Sequence, residues 1–311
     1  TEAGVADAAE VTSTAREPVS DEALRARGEG LLAEAFEAAN RGDAARAVEL
    51  ASELLALVPD HPQALAIRGT CDPDAEDDLD RAIELAPEGW MLVNRANGHV
   101  ARGDHRAALV DLDRVLRLEP PTARRLAKRS EARLATGDVA GAAEDAEAAL
   151  RLDPQEAQAW FMIGNVRRQR GDLQGAIAAM RQGLRLDPKN ATGEVTLGTL
   201  LIQTGLLDEG CAALDRALAM APDQQLALAA RGSTRAAQGR LAEALVDLER
   251  AVALNADDWQ TWANFATALA QAGHWQRARD AADRALSGDP DEPRALHVRA
   301  VWRFLPAESD G

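Results

Sequence analysis

Apolar and small residues recur through residues 157–190 at spacings of three, four and seven. Trp160, Ile163 and Gly164 form one run, and Ala176, Met180 and Gly183 form the next. That is the period of helices that each bury one face. Gly171-Asp172 lies between the runs and Asp187-Pro188 closes the second. Gly supplies a permissive turn, and Pro refuses to continue a helix because it lacks the amide hydrogen and its ring clashes with the preceding turn. The stretch therefore predicts a helical hairpin.

The same pattern is copied along the chain. Counting residue 157 as position 1, the closing position falls at Pro59, Pro87, Pro120, Pro154, Pro188, Pro222, Ala256 and Pro290, and from Pro120 onward every interval is 34 residues. Position 8 reads Ala35, Gly69, Ala96, Ser130, Gly164, Gly198, Gly232 and Ala266; position 20 reads Ala47, Ala75, Ala108, Ala142, Ala176, Gly210, Ala244 and Ala278. Every copy keeps a small residue where two helices must approach closely. The pattern resembles the tetratricopeptide repeat, whose 34-residue unit carries Trp or Leu at position 4, small residues at 8 and 20, and Pro at 32. Those positions are Trp160, Gly164, Ala176 and Pro188 here, and the resemblance covers about residues 28–292.

The resemblance implies an all-α fold, a right-handed α-α superhelix of about eight hairpins. The expected repeats are 28–61, a truncated 62–88, then 89–122, 123–156, 157–190, 191–224, 225–258 and 259–292, with a solenoid overall at 21–305. A further first helix at 293–305, restarting at Pro293 and running through Phe304, reads as a cap whose Trp302 and Phe304 cover the last apolar face. Residues 1–20 lack helical periodicity and predict a disordered arm, and 306–311 predict a disordered tail. Because residue 1 is Thr rather than Met, a leader or further domain upstream is compatible with the sequence.

The second repeat breaks the period. Pro59 to Pro87 spans 28 residues, and Cys71-Asp72-Pro73-Asp74 stands where the first helix should still run. Six missing residues predict a first helix shorter by roughly 9 Å, and a bend or loosened joint before the third repeat. Asp72, Asp74, Glu76, Asp77, Asp78 and Asp80 crowd this point. They do not make a calcium loop: Asp77 replaces the turn Gly, and the closing acid would fall at Ile83. Acids just before a helix instead favour its N-terminal dipole and free amides.

One internal correlation points to a contact. Position 7 carries Arg68, Arg95, Arg129 and Arg231, and the same repeats carry Asp78, Asp111, Asp145 and Asp247 at position 23. Three other repeats pair Ile163 with Ala179, Leu197 with Ala213 and Phe265 with Ala281, whereas the first has Glu34 with Leu50. Charge thus stands on both helices of a hairpin or on neither, except in the first repeat.

Composition narrows the function. Aromatics make up 3% of the chain and Tyr is absent, so the core must be closely spaced helices rather than interlocking rings. The 51 acidic and 35 basic residues leave a net charge of −16. This argues against nucleic acid, whose binding depends on clustered Lys and Arg. Cys71 and Cys211 lie in well-separated repeats and cannot pair; they read as small core residues and favour a reducing, cytoplasmic setting. No apolar run approaches membrane-spanning length, so no membrane insertion is expected. His61, His99, His105, His274 and His297 are scattered, and no metalloprotease, nucleophile-elbow, phosphate-loop or dinucleotide motif appears. No enzyme activity, cofactor or metal is expected.

In proteins that this chain resembles, first helices line a concave groove that binds an extended peptide or a partner helix, with positions 2, 5, 6, 9, 12 and 13 pointing inward. Carried onto this sequence, those positions give Asn94, Asn97, Arg124, Lys128, Phe161, Asn165, Arg168, Thr196, Thr199, Ser233, Asn264 and Thr267, with Met162 adding apolar contact. Asn both donates and accepts, so a spaced series can grip a peptide backbone. Arg124, Lys128 and Arg168 make the middle of this groove basic, with Glu131 the inward acid nearby. The chaperone-tail clamp of the family needs Lys at position 5, which reads Leu32, Ala66, Val93, Ala127, Phe161, Val195, Ala229 and Ala263, so that ligand is not expected. The resemblance thus implies a non-catalytic scaffold for a protein or peptide ligand. The alternatives are the recognition region of a larger transferase, kinase or regulator, which the full reading frame would reveal, and a self-associating structural subunit, which light scattering across concentrations would expose.

The repeated charge pair gives a first test. Arg129→Leu alone strands a carboxylate and is expected to destabilise by up to about 3 to 5 kcal/mol, more than Arg129→Leu combined with Asp145→Leu. Unfolding measured on all four corners of the cycle checks this, and additive effects would mean the two side chains do not meet.

Overall fold

A computed structural model of the chain describes residues 21–304; the arm expected at 1–20 and the tail expected at 306–311 lie outside the described residues. Seventeen α-helices and no strands occur among the described residues. The chain divides between Glu119 and Pro120 into two compact units. The first holds α1 (Asp21–Asn40), α2 (Ala44–Leu57), α3 (Pro62–Cys71), α4 (Glu76–Leu85), α5 (Gly89–Ala101) and α6 (His105–Leu118). The second holds α7 (Ala123–Ala135), α8 (Val139–Leu152), α9 (Ala157–Gln169), α10 (Leu173–Leu186), α11 (Ala191–Gln203), α12 (Leu207–Met220), α13 (Gln225–Ala237), α14 (Leu241–Leu254), α15 (Trp259–Gln271), α16 (Trp275–Gly288) and α17 (Pro293–Trp302). In both units consecutive helices pair as hairpins, each packed on the next.

The hairpins form where the sequence period places them. Seven of the eight turn on a Gly with positive φ, such as Gly171 at 81°, a conformation in which a side chain would strain against its own backbone. The Asp after that Gly caps the second helix: Asp43, Asp104, Asp138 and Asp172 each accept a hydrogen bond from the amide three residues on. Position 8 is buried in the regular repeats, from Ala35 to Ala266. At Ser130 the hydroxyl also donates to the Ala142 carbonyl at 2.7 Å, joining position 8 to position 20. Trp160 and Trp262 at position 4 reach back to the preceding repeat, where their indole N–H groups donate to the carbonyls of Pro154 (3.0 Å) and Ala256 (2.8 Å).

The correlated Arg and Asp residues meet. Arg95, Arg129 and Arg231 grip Asp111, Asp145 and Asp247 through two hydrogen bonds each, at 2.6–2.9 Å, and Arg68 donates to Asp78 at 2.5 Å. Asp111, Asp145 and Asp247 are buried, so these are charges removed from water and paired. The sequence did not announce the additional partners. Arg133 and Arg235 reach Asp145 and Asp247 at 2.9 and 2.8 Å. Arg95 and Arg231 also bind Asp80 and Asp215 of the preceding hairpins. Asp145 therefore keeps one guanidinium when Arg129 is removed, which places the single-mutant cost toward the lower end of its range.

The truncated repeat differs from expectation in how it absorbs the deletion. α3 and α4 have 10 residues each, against 13 and 14 in α5 and α6, so both helices shorten rather than the first alone. A 3-10 turn at Pro73–Ala75 replaces the Gly-Asp turn, with the Asp72 carboxylate accepting from the Asp74 amide at 3.0 Å. Ala75 thus ends this turn instead of standing inside a second helix. Gly69 explains the tightness: a Cβ there would lie 2.6 Å from the Leu79 amide nitrogen. The first unit nonetheless keeps one apolar core running from Ala35 through Leu54, Ile83 and Leu92 to Val115. At the other end of the chain α17 stops at Trp302, where Arg279 stacks 4.5 Å from the indole centroid; Phe304 is 89% exposed and covers nothing.

Short helices joined by a 3-10 turn have few backbone hydrogen bonds to hold their ends. Amides of residues 70–75 are expected to exchange with solvent faster than those inside α9 and α10, and uniform protection across both would count against a local weakness at the deletion.

Candidate functional site

The first helices of the second unit build one face. α7 packs on α9, α11 on α13, α13 on α15 and α15 on α17, whereas α9 and α11 approach least among these neighbours. Phe161 is the wedge. It is buried against Gly183 of α10 and Gly193 of α11, where an added Cβ would come within 2.5 and 2.9 Å of its ring. Between α9 and α11 lies a pocket of about 280 Å³. Phe161 and Met162 form its apolar base, and Gln158, Asn165 and Thr196 give it polar walls.

Four of the residues expected to line a groove are therefore brought together: Phe161, Met162, Asn165 and Thr196. Met162 is buried like Phe161, so the two offer an apolar floor rather than projecting side chains. Asn165 is half-buried and makes no side-chain hydrogen bond among the described residues, leaving its amide available. The hydroxyls of Thr196, Thr199, Ser233 and Thr267 donate to carbonyls of their own helices, at 3.0, 2.9, 2.7 and 2.9 Å, and so present lone pairs rather than protons. Asn264 accepts from Arg294 of α17. Thr267 belongs to another pocket of about 470 Å³ beside Arg294 and His297. Asn94 and Asn97 lie in the first unit, at a cavity of about 510 Å³ left by the short α3.

The basic residues have distinct surroundings. Arg124 and Arg168 are exposed and make no ion pair among the described residues. Exposed arginines on the second helices instead bridge to neighbouring carboxylates, as in Arg181–Glu209 (2.7 Å) and Arg277–Glu249 (2.7 Å). Lys128 is half-buried. Desolvation pushes its ammonium below the usual Lys range, with Arg124 adding to the drop and Glu131 and Glu156 opposing it. Gln158, at position 2, donates to Glu131 at 3.3 Å across α7 and α9. Gln158, Asn190 and Thr192 were missed as pocket residues. Position 2 recurring at Gln158 and Thr192 was the available signal.

Two family models, both described as tetratricopeptide repeat, match the chain: one over residues 127–191 and the other over 167–232 and 235–301. Together they span more than half of its length, and the chain belongs to the tetratricopeptide-repeat family. Among solved structures it is similar to YrrB, described as a TPR protein with an unusual peptide-binding site, at 21% identity with a TM-score of 0.52, covering 61% of this chain and 97% of that one. It is also similar to a thermophilic TPR protein of Thermus thermophilus, at 22% identity and a TM-score of 0.50, covering 59% of this chain and all of the other. These likenesses agree with the stacked hairpins. No curated protein matches the sequence significantly. Among the described residues no helix is long and apolar enough to cross a membrane, and no three His, Cys, Asp or Glu side chains cluster to hold a metal.

The surroundings of Lys128 have a measurable consequence. Its folded pKa lies below the ordinary 10.5, so between the two values the unfolded chain binds more protons and stability rises with pH. Lys128→Met is expected to raise unfolding free energy near neutrality, and that gain should shrink as pH climbs through the lowered value toward 10.5. A difference between the two proteins that stays constant over this range would show the ammonium is not desolvated.

Proposed function

We propose that the first-helix face of the second unit binds an extended segment of a partner polypeptide, and that the protein works as a non-catalytic scaffold. The observation that supports this is the pocket between α9 and α11, which joins an apolar floor to the unpaired Asn165 amide and to hydroxyl lone pairs on α11. A peptide backbone offers alternating N–H donors and C=O acceptors. Asn165 can answer either, and Thr196, its proton already committed, accepts from an N–H. Met162 and Phe161 give one side chain of the ligand an apolar seat, the kind of central contact that carries most binding energy. Arg124 and Arg168 leave the ends of this stretch receptive to carboxylates on a chain whose net charge is −16. The repeat family is a protein-interaction module, which accords with this reading.

Selection from a phage-displayed library of unstructured peptides against the full chain, followed by calorimetry, tests it. Asn165→Ala and Thr196→Val are each expected to weaken the selected peptide by about tenfold, and Arg124→Ala to lower the salt dependence of its affinity. Arg170→Ala, an exposed change past the end of α9, should leave binding unaltered. Failure to select any peptide, or affinities indifferent to the pocket substitutions in a folded protein, would remove the proposal.

A further inference from the structure

Position 4 of each first helix carries a large side chain. It is Leu31, Leu65, Leu92, Leu126, Trp160, Leu228, Trp262 and Leu296, with a single exception, Glu194 in α11. Glu194 is 6% exposed, and its carboxylate accepts two hydrogen bonds from Arg216 of α12, at 2.7 and 2.8 Å. Arg216 itself is half exposed, and an ion pair open to water on one side adds little stability over the apolar residue that every other first helix carries at this place. Retaining it leaves space. Above Glu194 a cavity of about 420 Å³ opens between α10 and α12, based on Leu184, Leu197 and Leu201.

The rim of this seam is basic. Arg181 is paired with Glu209 and Arg216 with Glu194, but Arg185 meets the side chain of Gln182 and no carboxylate among the described residues. The rim therefore carries one uncompensated positive charge on a strongly acidic chain. Two other hairpins carry an indole at position 4, Trp160 and Trp262, each fixed by a hydrogen bond to a backbone carbonyl.

We propose that the α10–α12 seam is a second docking site, separate from the first-helix face, that takes an aromatic side chain of a partner polypeptide together with an adjacent carboxylate. The aromatic ring enters beside position 4, where two other hairpins carry an indole of their own, lies on the leucines and stacks against the guanidinium planes of the rim. The carboxylate pairs with Arg185 in a charge-assisted hydrogen bond. Burial of the ring supplies affinity, and the charge selects acidic over basic neighbours in the partner sequence.

The probe is the N-acetylated, amidated dipeptide Trp-Glu, titrated against the full chain while methyl resonances of Leu184, Leu197 and Leu201 are followed by NMR. Saturable shifts are expected there. The Trp-Lys and Ala-Glu dipeptides should bind at least about tenfold more weakly. Glu194→Trp introduces the residue type that two other hairpins use at position 4; it should fold with a Tm no lower than the parent and abolish the shifts. Arg185→Glu, at an exposed position, should cause a comparable loss without touching the core. Arg124→Ala and Lys128→Ala on the first-helix face should leave these shifts unchanged, so this outcome stands or falls independently of peptide binding there. Absence of saturable shifts, equal affinity for the Trp-Lys probe, or shifts that persist in a folded Glu194→Trp protein would overturn the proposal.

Discussion

Close approach of two helices at positions 8 and 20 is the constraint on which the rest of the structure depends. In the hairpin of α11 and α12 both positions are Gly, and a Cβ on Gly198 would lie 2.8 Å from Leu214 and 3.0 Å from the Gly210 carbonyl. A larger residue would push the helices apart and remove contacts along their length, because interiors are close-packed and do not yield smoothly. The low aromatic content follows: with helices this near, Ala and Leu fill the space. So does the stacking, since each hairpin buries its apolar faces by lying on the next.

Within that frame, the buried acids act as fixed points between helices. Asp111, Asp145 and Asp247 are almost out of water, and each is held by an Arg one helix away; Asp145 and Asp247 have a second guanidinium within reach, and Asp111 has the His99 ring at 3.8 Å. Hairpins with Ala in place of the Asp manage without it, so packing supplies most of the cohesion. What the ion pairs add is directional: a bidentate guanidinium accepts one alignment of carboxylate and backbone, whereas apolar contact tolerates sliding. Arg95 and Arg231 extend the grip to the hairpin before, fixing successive repeats as well as paired helices.

Three departures from the repeat coincide with cavities. The deletion in the second hairpin leaves a cavity beside Asn94 and Asn97. Phe161, where the other seven repeats carry an aliphatic residue at position 5, lies against Gly183 and Gly193 at the pocket that Asn165 lines. Glu194 replaces a position-4 hydrophobe and opens the seam on the opposite side of α11. A strictly regular array would be closed at all three places, and a surface closed everywhere offers a partner only shallow contact.

The sequence by itself determined the regular hairpins and the Arg–Asp contacts, because these depend on residues a fixed distance apart within one repeat. A period of 34 with Gly at the turn and a small residue at positions 8 and 20 leaves the chain few other ways to bury its apolar faces. Only the tertiary structure decided which inward positions become a site. Phe161 occupies an inward register position yet is buried, since Gly183 and Gly193, on two other helices, leave room for its ring. The same three-way contact sets the spacing that brings Asn165 to Thr196, and the shortfall of the second repeat was shared between α3 and α4 because both must still pack through Gly69. Contacts inside a repeat follow its period; contacts among three helices depend on side-chain volumes from separate repeats, which no spacing along the chain encodes.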